Sequence, residues 1–334
     1  MFKLGFLFLV LMTNSAVAGF SSYSLLTEIP VERDGGWDYL SVDEGSRRLF
    51  VSHGDQIMVI ELDANKVVGE IKDTPGVHGF AIAADLGRGF SSNGREGKIS
   101  IVDLKTLTTI QKVDAGQNPD AIIYNPAEHE VYAFNGKSQS VAVIDGQTGK
   151  LSATIPLDGK PEFAAVDPGL HKVFVNIEDK NTIVVIDSVS HQITATWPIA
   201  PGEEATGMDI DVKHHRLFVG CHNKMMLAVD AQSGKILDHI AIGAGVDANW
   251  FDPKTSLVFS SNSEGTVTIA SVSSTGKFKA AQTLTTKARA RTMALDKTTH
   301  RIYLPSAEFK PASDPKARPQ PVPGTFKILV YGTK

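Results

Sequence analysis

The sequence predicts an all-β fold: a seven-bladed β-propeller of four-stranded blades, its ring closed by the N-terminal strand completing the last blade. Three observations predict it. One pattern recurs seven times at intervals of roughly 40 residues, a blade-like period. Each recurrence carries short, turn-bounded apolar runs. The last repeat lacks its fourth run, and a matching run stands at the start of the chain.

The pattern is a polar residue, an alternating apolar stretch, a turn, and an apolar–aromatic pair. Its instances are DYLSVDEGSRRLF from Asp38, HGFAIAADLGRGF from His78, DAIIYNPAEHEVY from Asp120, EFAAVDPGLHKVF from Glu162, TGMDIDVKHHRLF from Thr206, DANWFDPKTSLVF from Asp247 and RTMALDKTTHRIY from Arg291. The aromatic always falls at the same register: Phe50, Phe90, Tyr132, Phe174, Phe218, Phe259 and Tyr303. A third run follows, such as IMVIEL from Ile57 or IVVIDS from Ile183, and in six repeats a fourth, such as LSATIPL from Leu151. These runs are rich in Val, Ile and Thr and alternate with period two, which is strand chemistry. Asp103, Asp145, Asp187 and Asp230 end third runs and are expected as hairpin-turn formers. LLTEIPV (Leu25 to Val31) resembles LSATIPL and supplies the missing strand, so closure leaves no open edge.

Composition sets the class. The chain has 334 residues, 33 Lys plus Arg against 37 Asp plus Glu, and a formal charge of -4. It offers no general attraction for phosphate backbones, so no nucleic acid is expected. The single cysteine, Cys221, excludes an intrachain disulfide and a cysteine-rich metal site. At the N-terminus, Lys3, the apolar run LGFLFLVLM and Ala16-Val17-Ala18 read as a cleavable signal peptide over 1–18. The run is too short to span a bilayer, which takes roughly 20 residues. The expectation is a periplasmic protein, with secretion as the alternative. Residues 19–334 would form one propeller domain without stable membrane insertion, a monomer.

The strand ends FVSH (Phe50 to His53), FSSN (Phe90 to Asn93), YAFN (Tyr132 to Asn135) and FSSN (Phe259 to Asn262) resemble the YVTN motif. The chain is thus similar to the YVTN-repeat, or YncE-like, family of exported seven-bladed propellers over roughly residues 20 to 334. The last motif position departs at Ile177, Cys221 and Ser306. The resemblance implies a scaffold or binding role.

In that architecture the innermost strand of each blade opens at the mouth of the central channel. Asp38, His78, Asp120, Glu162, Thr206, Asp247 and Arg291 would form a polar ring there. His53, Asn93, Asn135 and Asn262 would stand close behind, with His222 beside Cys221. A concave mouth with converging polar groups is the default ligand site. The ring suits a small polar ligand, a divalent cation or a protein partner. Asp38, Asp120, Asn135 and Glu162 are candidate metal ligands for a lactonase-type hydrolase, with His78 as acid–base. His53, His78 and His222 are candidates for an accessory copper role. Trp37 and Trp250 adjoin the ring, as ligand stackers or blade packing. His129, His171, His215 and His300 share one repeat position on the opposite face and read as turn residues. The segment 307–326, with five prolines, is an insertion in blade seven on the ring's side. No GxSxG, HExxH, GxxxxGK[ST] or CxxCH is present. No haem c, NAD or PQQ is expected.

Overall fold

A computed structural model describes residues 20–33, 35–310 and 319–334. The expected leader, 1–18, and the middle of the proline-rich insertion, 311–318, lie outside the described residues. The strands form seven separate four-stranded antiparallel sheets. In blade 1 they run outward from the axis as Trp37–Asp43, Arg48–His53, Gln56–Glu61 and Lys66–Ile71. The same order repeats through blade 6, which ends at Thr285. Innermost strands of successive blades contact one another all the way round, the first meeting the seventh.

Blade 7 consists of Ala294–Asp296, Arg301–Ser306 and Lys327–Thr333, with Tyr23–Pro30 outermost. That N-terminal strand pairs antiparallel with the C-terminal one, from Tyr23 opposite Thr333 to Pro30 opposite Lys327. The expected closure is therefore the one observed, and the blade's edge is covered by the chain's own beginning. The only helical pieces among the described residues are two single 3-10 turns, Ala84–Leu86 and Glu178–Lys180. No helix among the described residues is long and apolar enough to cross a membrane.

The seven repeat aromatics are all at most 1% exposed. They wedge between blades: Phe50 packs on Phe80 of the next blade at 4.7 Å and Phe218 on Phe251 at 5.0 Å. Burying each contributes roughly 1.5–3 kcal/mol, part of it to holding neighbouring blades together.

The turns on the far face explain the four repeat-position histidines. Arg47, Gly87, His129, His171, His215, Ser256 and His300 all have left-handed backbones, with φ from 49° to 62°. The histidines are turn residues, as expected. They also do something the pattern did not disclose. His129 Nδ1 lies 3.1 Å from Asp85, His171 Nδ1 2.6 Å from Glu128, His215 Nδ1 2.7 Å from Asp167 and His300 Nδ1 2.6 Å from Asp252. Each carboxylate belongs to the preceding blade. Arg47 closes the series by reaching Asp296 of blade 7 at 2.9 Å. Asp167, Asp252 and Asp296 share their labour: one oxygen accepts turn N–H groups and the other takes the neighbour's cation or imidazole. The third-run aspartates Asp103, Asp145, Asp187 and Asp230 accept backbone N–H groups two and three residues on, as hairpin formers.

Candidate functional site

The ring residues gain their aim from a repeated irregularity. In blades 1 to 6 the innermost strand pairs with its neighbour at its first residue, then shifts register before pairing resumes. The shifts lie between Trp37 and Leu40, Val77 and Phe80, Pro119 and Ile122, Pro161 and Ala164, Ala205 and Met208, and Val246 and Ala248. Asp38, His78, Asp120, Glu162, Thr206 and Asp247 all sit in these bulges. A bulge leaves a residue unpaired and re-aims its side chain. Arg291 precedes the short strand of blade 7 instead.

The carbonyls of the ring are fixed from the neighbouring blade. Ser92 donates to Asp120 O, Asn176 to Thr206 O, Ser261 to Arg291 O and Thr292 to Asp38 O. In blades 2, 4 and 6 the donor stands one place before the end of the second strand, so the YVTN-like segment holds the ring by its third position.

Asp38, His78 and Asp120 converge. His78 Nδ1 lies 2.6 Å from one oxygen of Asp38 and 3.6 Å from one of Asp120. One ligating atom from each of the three lies within 4.8 Å of the others, and this is the one such group among the described residues. On the neighbouring arc Lys160 Nζ reaches Glu162 and Glu178, each at 2.6 Å. Opposite them Arg291 Nε lies 3.1 Å from Asp247, whose side chain is only 11% exposed. Tyr39 follows Asp38 in the chain and meets Phe163 edge-on at 4.6 Å.

The acids are crowded and partly dried. Asp120 is pushed up to about 6, by burial first and by Asp38, while His78, Lys160 and the Tyr39 hydroxyl pull the other way. Glu162 is pushed up to about 7 by burial and Asp120, against Lys160. Asp247 rises to about 6 by burial, against Arg291. Burial opposes the His78 imidazolium, yet the bond to Asp38 and the charges of Asp120 and Glu162 raise its pKa overall. Burial and the four surrounding carboxylates hold the Tyr39 phenol well above its ordinary value. The mouth thus gathers more negative charge than its cations neutralise comfortably.

Other candidates are placed elsewhere. Thr206 is buried and donates to Val246 O. Asn93 Nδ2 donates to Glu96 and Ser100, Asn135 Nδ2 to Ala115 O and Ser140, and Asn262 Nδ2 to Ser260 O, Thr266 and Thr268. All three amides are fully buried among these partners. His53 is buried against Phe326 at 4.6 Å, and His222 faces Glu204 at 3.4 Å. Neither histidine belongs to the Asp38–His78–Asp120 group. Trp37 packs on Phe309 and Phe326 of the inserted segment, whose two arms bridge through Phe309 and Pro321. Trp250 donates to Met293 O inside the channel. Sequence reasoning missed Tyr39 and Lys160. The available signal was their position, within two residues of a ring residue.

No family model matches the chain, and no curated protein matches it. Among solved structures, 1813 chains match, so the likeness carries fold and no function. One is a chain in the crystal structure of a mitotic checkpoint complex, 14% identical, with a TM-score of 0.75 over 98% of each chain. Architecture and site together define a seven-bladed β-propeller with a charged channel mouth, a fold compatible with binding and scaffold roles.

Proposed function

We propose that this is an exported, monomeric, non-catalytic binding propeller of the YVTN-repeat type, and that its channel mouth binds a divalent transition-metal ion. The observation that carries the reading is the convergence of Asp38, His78 and Asp120 within 4.8 Å. One imidazole nitrogen and two carboxylate oxygens are a donor set that zinc and its neighbours accept. A tetrahedral ion with bonds near 2.1 Å places its ligand atoms about 3.4 Å apart, so small side-chain rotations suffice. Binding replaces the proton shared by His78 and Asp38 and relieves the repulsion that raises Asp120. Export is supported by the leader-like first eighteen residues, and family membership by the YVTN-like strand ends.

Metal content of the purified 19–334 chain, by elemental mass spectrometry before and after chelator, tests this. One chelatable ion per chain, lost in His78→Ala, is the expected result. A chain that neither retains nor takes up a stoichiometric ion overturns it.

A metal-assisted hydrolase is favoured by one observation. Asp120 near 6 and Glu162 near 7 are carboxyls that exchange protons around neutrality. The ligand set first expected for it included Asn135, whose amide bonds Ala115 O and Ser140 instead. Lactone hydrolysis by the metal-loaded chain, abolished in Glu162→Gln, is the observation that would establish that reading over simple binding.

A further inference from the structure

The axial channel holds a second compartment. Below the Tyr39–Phe163 contact lies a cavity of about 460 Å³, and none of the mouth's acids lines it. Its upper wall includes Tyr39, Ile122, Phe163 and Trp250. Its lining also includes Pro126, Pro168 and Val212, which follow the innermost strands of blades 3, 4 and 5. The cavity therefore opens on the turn face, opposite the charged mouth. Val212 is an apolar side chain 42% exposed at this rim.

Two charged side chains, Asp209 and Lys297, stand on a mainly apolar wall, where Ser41 donates to Phe80 O and the Tyr124 hydroxyl to Asp85. Asp209 accepts the Phe251 N–H at 2.7 Å, and burial raises its pKa against the pull of Lys297. Lys297 Nζ stands 5.8 Å from the centre of the Trp250 ring, with no carboxylate within ion-pair distance among the described residues. An acceptor and a donor thus line the same mainly apolar cavity, and their formal charges cancel. An occupant with a net charge of either sign would upset that balance where charge is poorly solvated. A volume of this size falls in the range of small-molecule pockets.

We propose that this cavity is a second binding site, for a neutral, mainly apolar small molecule carrying one hydroxyl or amide. The apolar body fills the space under Tyr39 and Phe163. The polar group donates to Asp209 and accepts from Lys297. The site is independent of the metal reading, because it uses other residues and the other face.

Calorimetric titration of the 19–334 chain with 2-naphthol, 2-naphthoate and 2-naphthylmethylammonium tests it. Expected are one saturable site for 2-naphthol and binding weaker by about tenfold or more for both ions. Ile122→Trp, which fills the cavity, should abolish binding. Lys297→Met, at a half-exposed position, should weaken 2-naphthol several-fold and leave naphthalene unchanged, which keeps the test decisive should the tryptophan variant not fold. Asp120→Asn, which alters the metal group at the mouth, should leave the 2-naphthol affinity of the cavity unchanged. Absence of saturable binding, equal affinity for the charged analogues, or loss on Asp120→Asn with retention in Lys297→Met would overturn the proposal.

Discussion

Replacing Asp247 by asparagine should stabilise the protein, and only above a particular pH. Asp247 is 8% exposed, and its carboxyl is raised from 3.8 to about 6, chiefly by burial. Below about pH 4 the group is protonated in both folded and unfolded chains, so the substitution should change little. Between about 4 and 6 the unfolded chain ionises first, and the folded protein loses stability as pH rises. Above 6 the full cost is present: a shift of about two units corresponds to about 3 kcal/mol at 1.36 kcal/mol per unit. Asp247→Asn removes that cost, and Arg291, with 55% of its side chain exposed, stays solvated without its partner. Urea unfolding at pH 4 and pH 8 measures the difference. The variant should match the parent at pH 4 and exceed it at pH 8, by up to about 3 kcal/mol. A variant equally destabilised at both pH values would refute the reasoning, since Asp247 would then be a stabilising partner of Arg291.

Three further outcomes follow from the same structure. His215→Ala leaves the fully buried Asp167 carboxylate without its neighbour-blade partner and should cost of order 1–3 kcal/mol in urea unfolding; a neutral effect would mean that the far-face pairs do not tie blades together. A chain beginning at residue 32 lacks the strand that closes blade 7 and should self-associate or lose its sharp melt, as read by light scattering and calorimetry. Metal affinity at the mouth should rise with pH from about 6 upward, because the ligand Asp120 loses its proton there and the imidazolium of His78, whose pKa is raised, must also give up its proton to bind; a flat calorimetric profile would place the metal elsewhere.

The ring was legible because each blade repeats the same burial problem. Phe50 and its six counterparts recur in register, and the strand missing at Lys334 reappears at Leu25. The far-face histidines were legible as turn residues, but their carboxylate partners were not. A pair such as His215 and Asp167 spans two blades, and a period does not report how neighbouring blades rotate against each other. The mouth was half legible. Its membership followed from strand order, which put Asp38, His78 and Asp120 at one level. Their aim followed from bulges that only the pairing register reveals. The YVTN-like terminal amides read as ligands, yet a short amide beside a turn satisfies backbone and hydroxyl groups first, as Asn135 does with Ala115 O and Ser140. The lower cavity left no trace in the repeat, because Asp209 and Lys297 belong to blades 5 and 7 and only the closed ring brings both to one cavity.

The central claim is that the channel mouth is a metal site, and an anomalous difference map from crystals soaked in zinc at pH 7.5 tests it most directly. The account predicts one dominant peak between an Asp38 oxygen, His78 Nδ1 and an Asp120 oxygen, with bonds of about 2.0–2.2 Å, absent from His78→Ala crystals. A mouth without a peak, or a dominant peak at His222 and Glu204 instead, would contradict it.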